Sequence, residues 1–158
     1  MNRIINLLCA ALFLLSSTCV GQDDSYDSQI DRLIREAENL SSPIETNALD
    51  FDDYDNWYKN FKNISEPFEK RFFETHKHKK SFRSMKEGLD GLSLAWGELS
   101  RAQNAENQYR ESITLHDVSY AHKWKSEAAN HRKKAYGTIA QALESLKGAK
   151  AYSEDENE

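Results

Sequence analysis

The chain has 158 residues, 26 acidic and 21 basic side chains, a net charge of −5 and two cysteines. This length permits one hydrophobic core and leaves little room for a second. Both cysteines, Cys9 and Cys19, lie in an N-terminal segment that we expect to be removed. Disulfides, zinc–thiolate sites and a cysteine nucleophile are therefore excluded for the mature chain.

The first 21 residues have the pattern of a secretory signal peptide. Arg3 supplies a positive charge, residues 4–15 form an apolar run too short to span a bilayer comfortably, and residues 16–21 are mostly small. We expect cleavage near Gly21 and a secreted product, extracellular or periplasmic. Lipidation of Cys19 in a bacterial lipoprotein is the alternative. No later apolar run is long enough to cross a membrane, so a soluble or peripheral protein is expected.

The remaining sequence predicts an all-α fold, because it has few glycines and prolines, no sustained period-two alternation and many strong helix formers. We predict an elongated antiparallel helical hairpin or bundle of three to four helices, forming a single domain over residues 22–150. The predicted helices are an acidic one at 27–40, an aromatic-rich one at 52–63, and a long pair at 66–102 and 108–150. An acidic, disordered tail is predicted at 151–158.

Local signals set these bounds. Pro43 ends the first helix, and Ser65 with Pro67 begins the third, because proline is tolerated in a first turn. The chain reversal is predicted at 103–107. A break is also allowed at 114–119, where isoleucine, threonine and valine are weaker helix formers.

Charge is arranged in blocks, so the net value hides cationic regions. Residues 22–56 carry a net −9, 57–86 a net +6, 87–121 a net −4 and 122–150 a net +5. A reversal near Ala105 would place Lys77 opposite Lys133, Lys79 opposite Asn130 and Lys86 opposite Trp124. The two cationic blocks would then form one positive band that could bind an anionic surface or a protein partner. The predicted band consists of Lys77, Lys79, Lys80, Arg83, Lys86, Lys123, Lys125, Arg132, Lys133 and Lys134. Alternatively, the acidic first helix and the acidic loop at 50–55 fold over the band and neutralise it.

Aromatic residues crowd the stretch from residue 54 to 73. Core packing is one interpretation, and the other is a hydrophobic groove for a lipid or a partner helix. The groove candidates are Trp57, Tyr58, Phe61, Phe72 and Phe73.

The sequence gives little indication of metal binding or catalysis. His76 and His78 would lie about 200° apart on a helix, so they cannot share an ion. No activated-nucleophile, phosphate-loop or dinucleotide motif occurs. We therefore expect no metal, no cofactor and no enzymatic activity. Nucleic acid is a poor fit for a secreted, acidic chain without a recognised binding module. In a eukaryotic source, Asn39 and Asn63 would be glycosylation acceptors.

One resemblance covers residues 55–150. The segment "DNWYKNFKNISEPFEKRFFETHKHKKSFRSMKEGLDGLSLAWGELS", with Gly91-Leu92-Ser93-Leu94 and the later Leu115-His116-Asp117, resembles the helical BAR-type domains of sorting nexins. The resemblance implies a dimeric, membrane-apposed helical module whose basic residues meet anionic lipid head groups.

These observations predict a secreted, non-enzymatic helical interaction protein. Its expected partner is another protein, as for an inhibitor or immunity-type protein, or a second copy of itself through the leucine, tryptophan and alanine stripe of the long helices. The alternative is peripheral binding of an anionic membrane or lipid through the basic band.

Overall fold

The computed structural model describes residues 25–157, all in helices or short connections. The predicted signal peptide, its cleavage site and both cysteines lie outside this part of the chain. The helices are α1 (Tyr26–Glu38), α2 (Ser41–Glu45), α3 (Phe51–His76), α4 (Lys80–Thr114) and α5 (Val118–Asn157). Four of them pack together, which confirms the predicted all-α helical bundle.

The long helices α4 and α5 form an antiparallel hairpin, against which α1 and α3 pack. Small residues bring α4 and α5 close together. A Cβ atom at Gly88 would lie 2.6 Å from Leu146 Cδ2 and 2.9 Å from the Ala142 carbonyl oxygen. Glycine at this position therefore allows a close helix crossing that a larger residue would push apart.

The core lies where all four helices meet. Its buried residues lie at helical spacing on each element: Ile30, Leu33 and Ala37 on α1; Tyr54, Phe61, Phe68 and Phe72 on α3; Phe82, Met85, Leu92 and Leu99 on α4; Ala135, Ile139, Ala142 and Leu146 on α5. The Tyr54 hydroxyl donates to the Leu92 carbonyl at 2.8 Å, which satisfies a buried polar group. Burial raises the pKa of Tyr54, so this hydroxyl keeps its proton and remains a donor.

The sequence predicts a helix break just before Pro67, but the structure has the break after His76. Helix α3 continues through Pro67 to His76, whereas the sequence predicted a new helix starting at residues 65–66. Both Pro67 and Asn63, whose carbonyl loses its usual donor, are exposed, so water can replace the missing hydrogen bond. The break occurs instead at residues 77–79, inside the helix predicted at 66–102.

The main reversal lies at 115–117, not at the predicted 103–107. Strong helix formers carry α4 past residue 107, and the weak helix formers around Thr114 mark its end. His116 adopts a left-handed conformation with φ of 58°, and the Asp117 N–H donates to the Ser112 carbonyl at 2.9 Å. These features terminate α4, while Asp117 accepts a hydrogen bond from the Tyr120 N–H at the start of α5.

The acidic tail is helical and docked, in contrast to the predicted disorder. Helix α5 extends to Asn157, and Glu156 lies at the N-terminus of α4. Its carboxylate accepts from the backbone N–H of Lys80 at 2.7 Å and from the Ser81 hydroxyl at 2.6 Å. Asp27 on α1 contacts Ser153 and Asn157. A run of acidic residues is normally solvated, and the sequence therefore predicts disorder. In the structure one of these residues, Glu156, caps the N-terminus of α4.

Removing this cap is expected to destabilise the bundle in a pH-dependent way. We expect Glu156→Ala to lower the free energy of unfolding at pH 7 by about 1 kcal/mol, the usual contribution of a helix cap. Burial opposes ionisation of Glu156, but the hydrogen bonds from Ser81 and Lys80 outweigh it and hold its pKa below 4.5. Because the pKa of Glu156 is lower in the folded protein than in the unfolded chain, its carboxylate stabilises the fold at pH values above the ordinary pKa of glutamate. This stabilisation is lost as the pH falls through the pKa of the folded state.

Denaturant unfolding of the wild type and Glu156→Ala between pH 7 and pH 3 tests this expectation. The difference between the two proteins should narrow toward pH 3. The neighbouring exposed residue provides the control, so Asp155→Ala should have little effect. An equal loss from both variants, or a difference that does not change with pH, would contradict the capping role.

Candidate functional site

The predicted basic band is divided along the hairpin, because the chain reverses near residue 116. The Ser84 hydroxyl donates to the Ser145 carbonyl at 2.7 Å. A turn at residue 105 would place residue 126 opposite Ser84, so the helix register differs by about 20 residues, or roughly 30 Å. The predicted pairings of Lys77 with Lys133, Lys79 with Asn130 and Lys86 with Trp124 are therefore wrong.

The ten cations fall into three groups at different levels of the hairpin. The first group lies near the α3–α4 break, the second beside the middle of α4, and the third near the α4–α5 turn. The groups are Lys77, Lys79, Lys80, Arg83 and Lys86; Arg132, Lys133 and Lys134; and Lys123 with Lys125.

Acidic residues of α1 do not neutralise these groups through any ion pair between residues 25 and 157. Asp31 binds Lys150 at 2.9 Å, and Asp27 faces the end of α5. The stretch predicted as an acidic loop at 50–55 forms the start of α3, where Asp55 binds Lys59 at 2.5 Å and accepts from the Trp96 indole at 2.8 Å. The acidic N-terminal region therefore uses its carboxylates to join α1, α3, α4 and α5, and not to cover the predicted band.

Part of the band is paired with acids of α3 and α4. Lys86 lies 3.2 Å from Glu69 and 3.1 Å from Asp90, and its hydrogen bond to Asp90 is the largest cause of its raised pKa. Lys77 binds Glu74 at 2.8 Å. These pairs are exposed, so each contributes little to stability and the cations stay accessible.

Arg132 of the second group binds Glu106 on α4 at 2.5 Å, and the adjacent His131 binds a partly buried carboxylate of the same helix. Glu98 accepts from His131 Nδ1 at 2.6 Å and from Arg101 at 2.6 Å. The bond to His131 is the largest cause of the lowered pKa of Glu98, so the carboxylate stays ionised in mildly acid solution. Lys133 and Lys134 extend into solvent beside it.

An open groove runs along α4 and α5 and receives cations from two of the three groups. We call it the central groove. Its lower half, of about 510 Å³, is lined by residues that include Phe73, Lys77, Arg83 and Lys86. Its upper half, of about 600 Å³, is lined by residues that include Arg101, Lys133 and Lys134. The halves share Leu94, Thr138 and Gln141, and neither has a lining residue from α1.

The central groove is positive at both ends, and at its centre exposed Leu94 lies beside Thr138 and Gln141. Six cations line it against three acids, Glu87, Asp90 and Glu98. Three of the cations, Lys77, Lys86 and Arg101, form ion pairs within the chain, whereas Arg83, Lys133 and Lys134 form no ion pair among the described residues. Leu94 is 68 % exposed at the shared centre. From Arg83 to Arg101 the groove follows 18 residues of α4, or about 27 Å. It can therefore hold an elongated, anionic, partly apolar ligand.

Most of the predicted aromatic groove is core. Phe61 and Phe72 are buried, and Trp57 and Tyr58 are half-buried against Tyr54. The exception is Phe73, which is 45 % exposed and lines the central groove. The predicted aromatic groove is therefore wrong for Phe72, because α3 is one continuous helix that turns this ring toward the core. Phe61, although buried, lines a recess of about 200 Å³ between α1 and α3 together with Trp57.

The structure also shows an apolar surface that the sequence did not indicate. The four-helix core ends at Leu99 and Ala135 among the described residues. Beyond it α4 and α5 continue as a two-helix arm, residues 100–131, whose seam buries small residues: Ala102, Ala105, Ser112, Ala121 and Ala128. At its end Ile113, Leu115, Val118 and Tyr120 are 53 %, 71 %, 67 % and 56 % exposed; we call these four residues the arm tip.

The sequence missed the arm tip because the turn was placed at 103–107. A reversal there leaves Ile113 and Tyr120 inside the continuous helix predicted at 108–150. The weak helix formers around Thr114 were the available signal, since apolar residues in a turn between two helices have no partner helix to cover them.

His76, His78 and His131 lie in three different environments. His76 stacks on Tyr26 with ring centroids 4.1 Å apart, and burial is the largest cause of its lowered pKa. His78 is exposed, and His131 binds Glu98. Between residues 25 and 157, no three histidine, cysteine or carboxylate side chains converge as a metal site. No described helix is both long and apolar enough to cross a membrane.

Both glycosylation acceptors lie at the surface. Asn39 follows α1, and Asn63 lies on the solvent side of α3.

Comparison with protein-family models, with curated proteins and with solved structures finds no match for this chain.

Proposed function

We propose that this chain is a secreted, non-enzymatic interaction protein that binds an acidic helical segment of another protein in the central groove. The observation that carries the proposal is the position of exposed Leu94 between two groups of cations on a long open groove. Secretion is supported by the signal-peptide pattern of residues 1–21.

The dimensions suit a helix. A groove of about 27 Å accommodates an α-helix of about 18 residues, or five turns. Helix-in-groove recognition uses apolar anchors on one face of the ligand helix, and Leu94 and Phe73 provide apolar contacts for such anchors. The wall opposite them is low, because Gly137 and Thr138 have small side chains.

Charge selects the partner. The groove residues carry three more positive than negative charges, and Lys133 and Lys134 are exposed at its upper end. An acidic helix would pair with them, whereas a basic helix would be repelled, so the groove is specific for acidic segments.

Photo-crosslinking in the native secreted fraction tests this proposal. Benzoylphenylalanine in place of Leu94 should capture a protein partner, whereas the same probe in place of exposed Asp52 on α3 should not. Adding Lys133→Glu and Lys134→Glu should reduce capture by about tenfold or more, because like charges then face each other. Equal labelling from both positions, or capture of a second copy of this chain alone, would overturn the proposed partner.

A further inference from the structure

The arm tip has no role in the central groove. It lies beyond the four-helix core, and none of its four residues lines either half of the groove. Four exposed apolar side chains at the end of a two-helix arm are costly to leave in water, so their arrangement calls for an explanation.

Residue types are ordered along the arm. Taking residue 116 as the end, Ile113, Leu115, Val118 and Tyr120 lie within about 6 Å of it at 1.5 Å per residue. The cations Arg110, Lys123 and Lys125 lie about 9 to 14 Å from it. Half-buried Tyr109 and Trp124 lie at the same level as the cations, and the Lys123 ammonium lies 5.1 Å from the Trp124 ring centre.

This order matches the depth profile of a lipid surface. Apolar faces of peripheral proteins enter the boundary between head groups and acyl chains to a depth of about 5–10 Å. Aromatic residues favour the head-group level, and lysines beside a membrane are attracted to anionic lipids. A recess of about 310 Å³ beside the tip is lined by Tyr109, Ile113, Val118 and Ala121 together with His116, Asp117, His122 and Lys125, so it can receive the part of a lipid where the acyl chain meets the head group.

Two acids share this region, and they limit the depth of entry. Asp117 caps α5 by accepting from the Tyr120 N–H at 3.2 Å, so its carboxylate is hydrogen-bonded at the helix N-terminus. Glu111 is exposed. Three cations against two acids leave a net positive charge, which suits shallow contact with anionic head groups and not deeper insertion.

The small area of the tip argues against a protein partner. Two adjacent helices of about 10 Å diameter present an end of roughly 200 Å². A stable protein interface buries about 800 Å² per partner, several times more. A lipid surface needs no such complementary area, because it deforms around the apolar residues.

We propose that the arm tip docks onto anionic lipid bilayers, with Leu115 and Val118 entering the interface and Lys123 and Lys125 contacting lipid phosphates. This site is separate from the central groove, so either proposal can fail without the other.

Vesicle co-sedimentation of the full chain tests the proposal. Binding is measured on phosphatidylcholine vesicles with and without phosphatidylglycerol. The measured quantity is the excess binding to the anionic vesicles, because any binding through the N-terminal apolar run contributes to both. The excess should fall as salt rises from about 0.1 M to about 1 M, because screening weakens the contacts of Lys123 and Lys125.

Variants locate the contact. The double variant Leu115→Ser with Val118→Ser should reduce the excess about tenfold or more, through lost apolar burial. Lys123→Gln and Lys125→Gln should each reduce it roughly fivefold. Tyr152→Ser is the control, because Tyr152 is 42 % exposed on α5 and lines neither the central groove nor the recess beside the arm tip, and it should leave vesicle binding unchanged.

A second readout identifies the contacting residue directly. Benzoylphenylalanine in place of Val118 should form lipid adducts on anionic vesicles, detected by mass spectrometry, whereas the probe in place of Leu94 should not. Circular dichroism checks that each variant stays helical. No excess on anionic vesicles, equal binding by the Leu115→Ser/Val118→Ser variant, or protein-only adducts from position 118 in native membranes would overturn the proposal.

Discussion

Phe61→Ala is expected to lower the free energy of unfolding by about 3–5 kcal/mol, the usual cost of removing a buried aromatic side chain. Phe61 is 3 % exposed and stacks on Trp57 with ring centroids 4.8 Å apart. Its loss would leave a cavity between α3 and α1 that the rigid helices could only partly fill. The expected cost is a large fraction of the stability of a domain this size.

Phe73→Ala provides the matched comparison on the same helix. Phe73 is 45 % exposed, and its nearest ring, Phe82, has its centroid 6.2 Å away. We expect a cost below about 1 kcal/mol, as for other surface substitutions. Urea unfolding of both variants measures the difference. Similar losses of stability in the two variants would contradict the burial of Phe61 and the exposure of Phe73.

The helical character of the chain could be predicted because the spacing of apolar residues within each helix is a local property of the sequence. Ile30, Leu33 and Ala37 recur at helical spacing, and this spacing places them on the face that α1 buries. The same holds for the face of α5 that carries Ile139 and Leu146. Any packing arrangement would bury these faces, so their assignment does not depend on where the chain turns.

The turns could not be predicted from local signals. At the break at residues 77–79, the cap of α4 comes from Glu156, which accepts from the Lys80 N–H at a separation of 76 residues and also from the Ser81 N–H. No proline or glycine occurs between Phe73 and Arg83 to mark the end of α3. In contrast, the weak helix formers at the α4–α5 turn are visible in the sequence, and the break allowed at 114–119 is where the chain reverses.

Errors in the turn positions propagate to the candidate surfaces. A turn displaced by about ten residues changes the pairing of two antiparallel helices by about twenty, or roughly 30 Å. The single positive band therefore becomes separate groups of cations, and the end of the hairpin moves to Leu115. Surface function in a hairpin depends on register, which is a property of the packed pair and not of either helix alone.

Gly88→Ala tests the register of the hairpin most directly. The added methyl group would lie 2.7 Å from Leu146 Cγ and 2.9 Å from the Ala142 carbonyl oxygen. The first contact could relax by a rotamer change, but the second involves helix backbone and requires α4 and α5 to separate. We expect the free energy of unfolding to fall by about 1–3 kcal/mol, the usual cost of overpacking, despite the higher helix propensity of alanine.

Gly97→Ala is the matched control, about two and a half helical turns further along α4. A Cβ atom at Gly97 would meet no neighbour within 4 Å, so alanine fits there without strain. We expect this variant to gain about 0.5–1 kcal/mol, because alanine loses less backbone entropy than glycine when the helix forms. Thermal or urea unfolding should therefore give opposite signs for the same substitution at two sites of one helix. Stabilisation by Gly88→Ala would contradict the close crossing of α4 and α5 at this site, and with it the helix register on which the central groove depends.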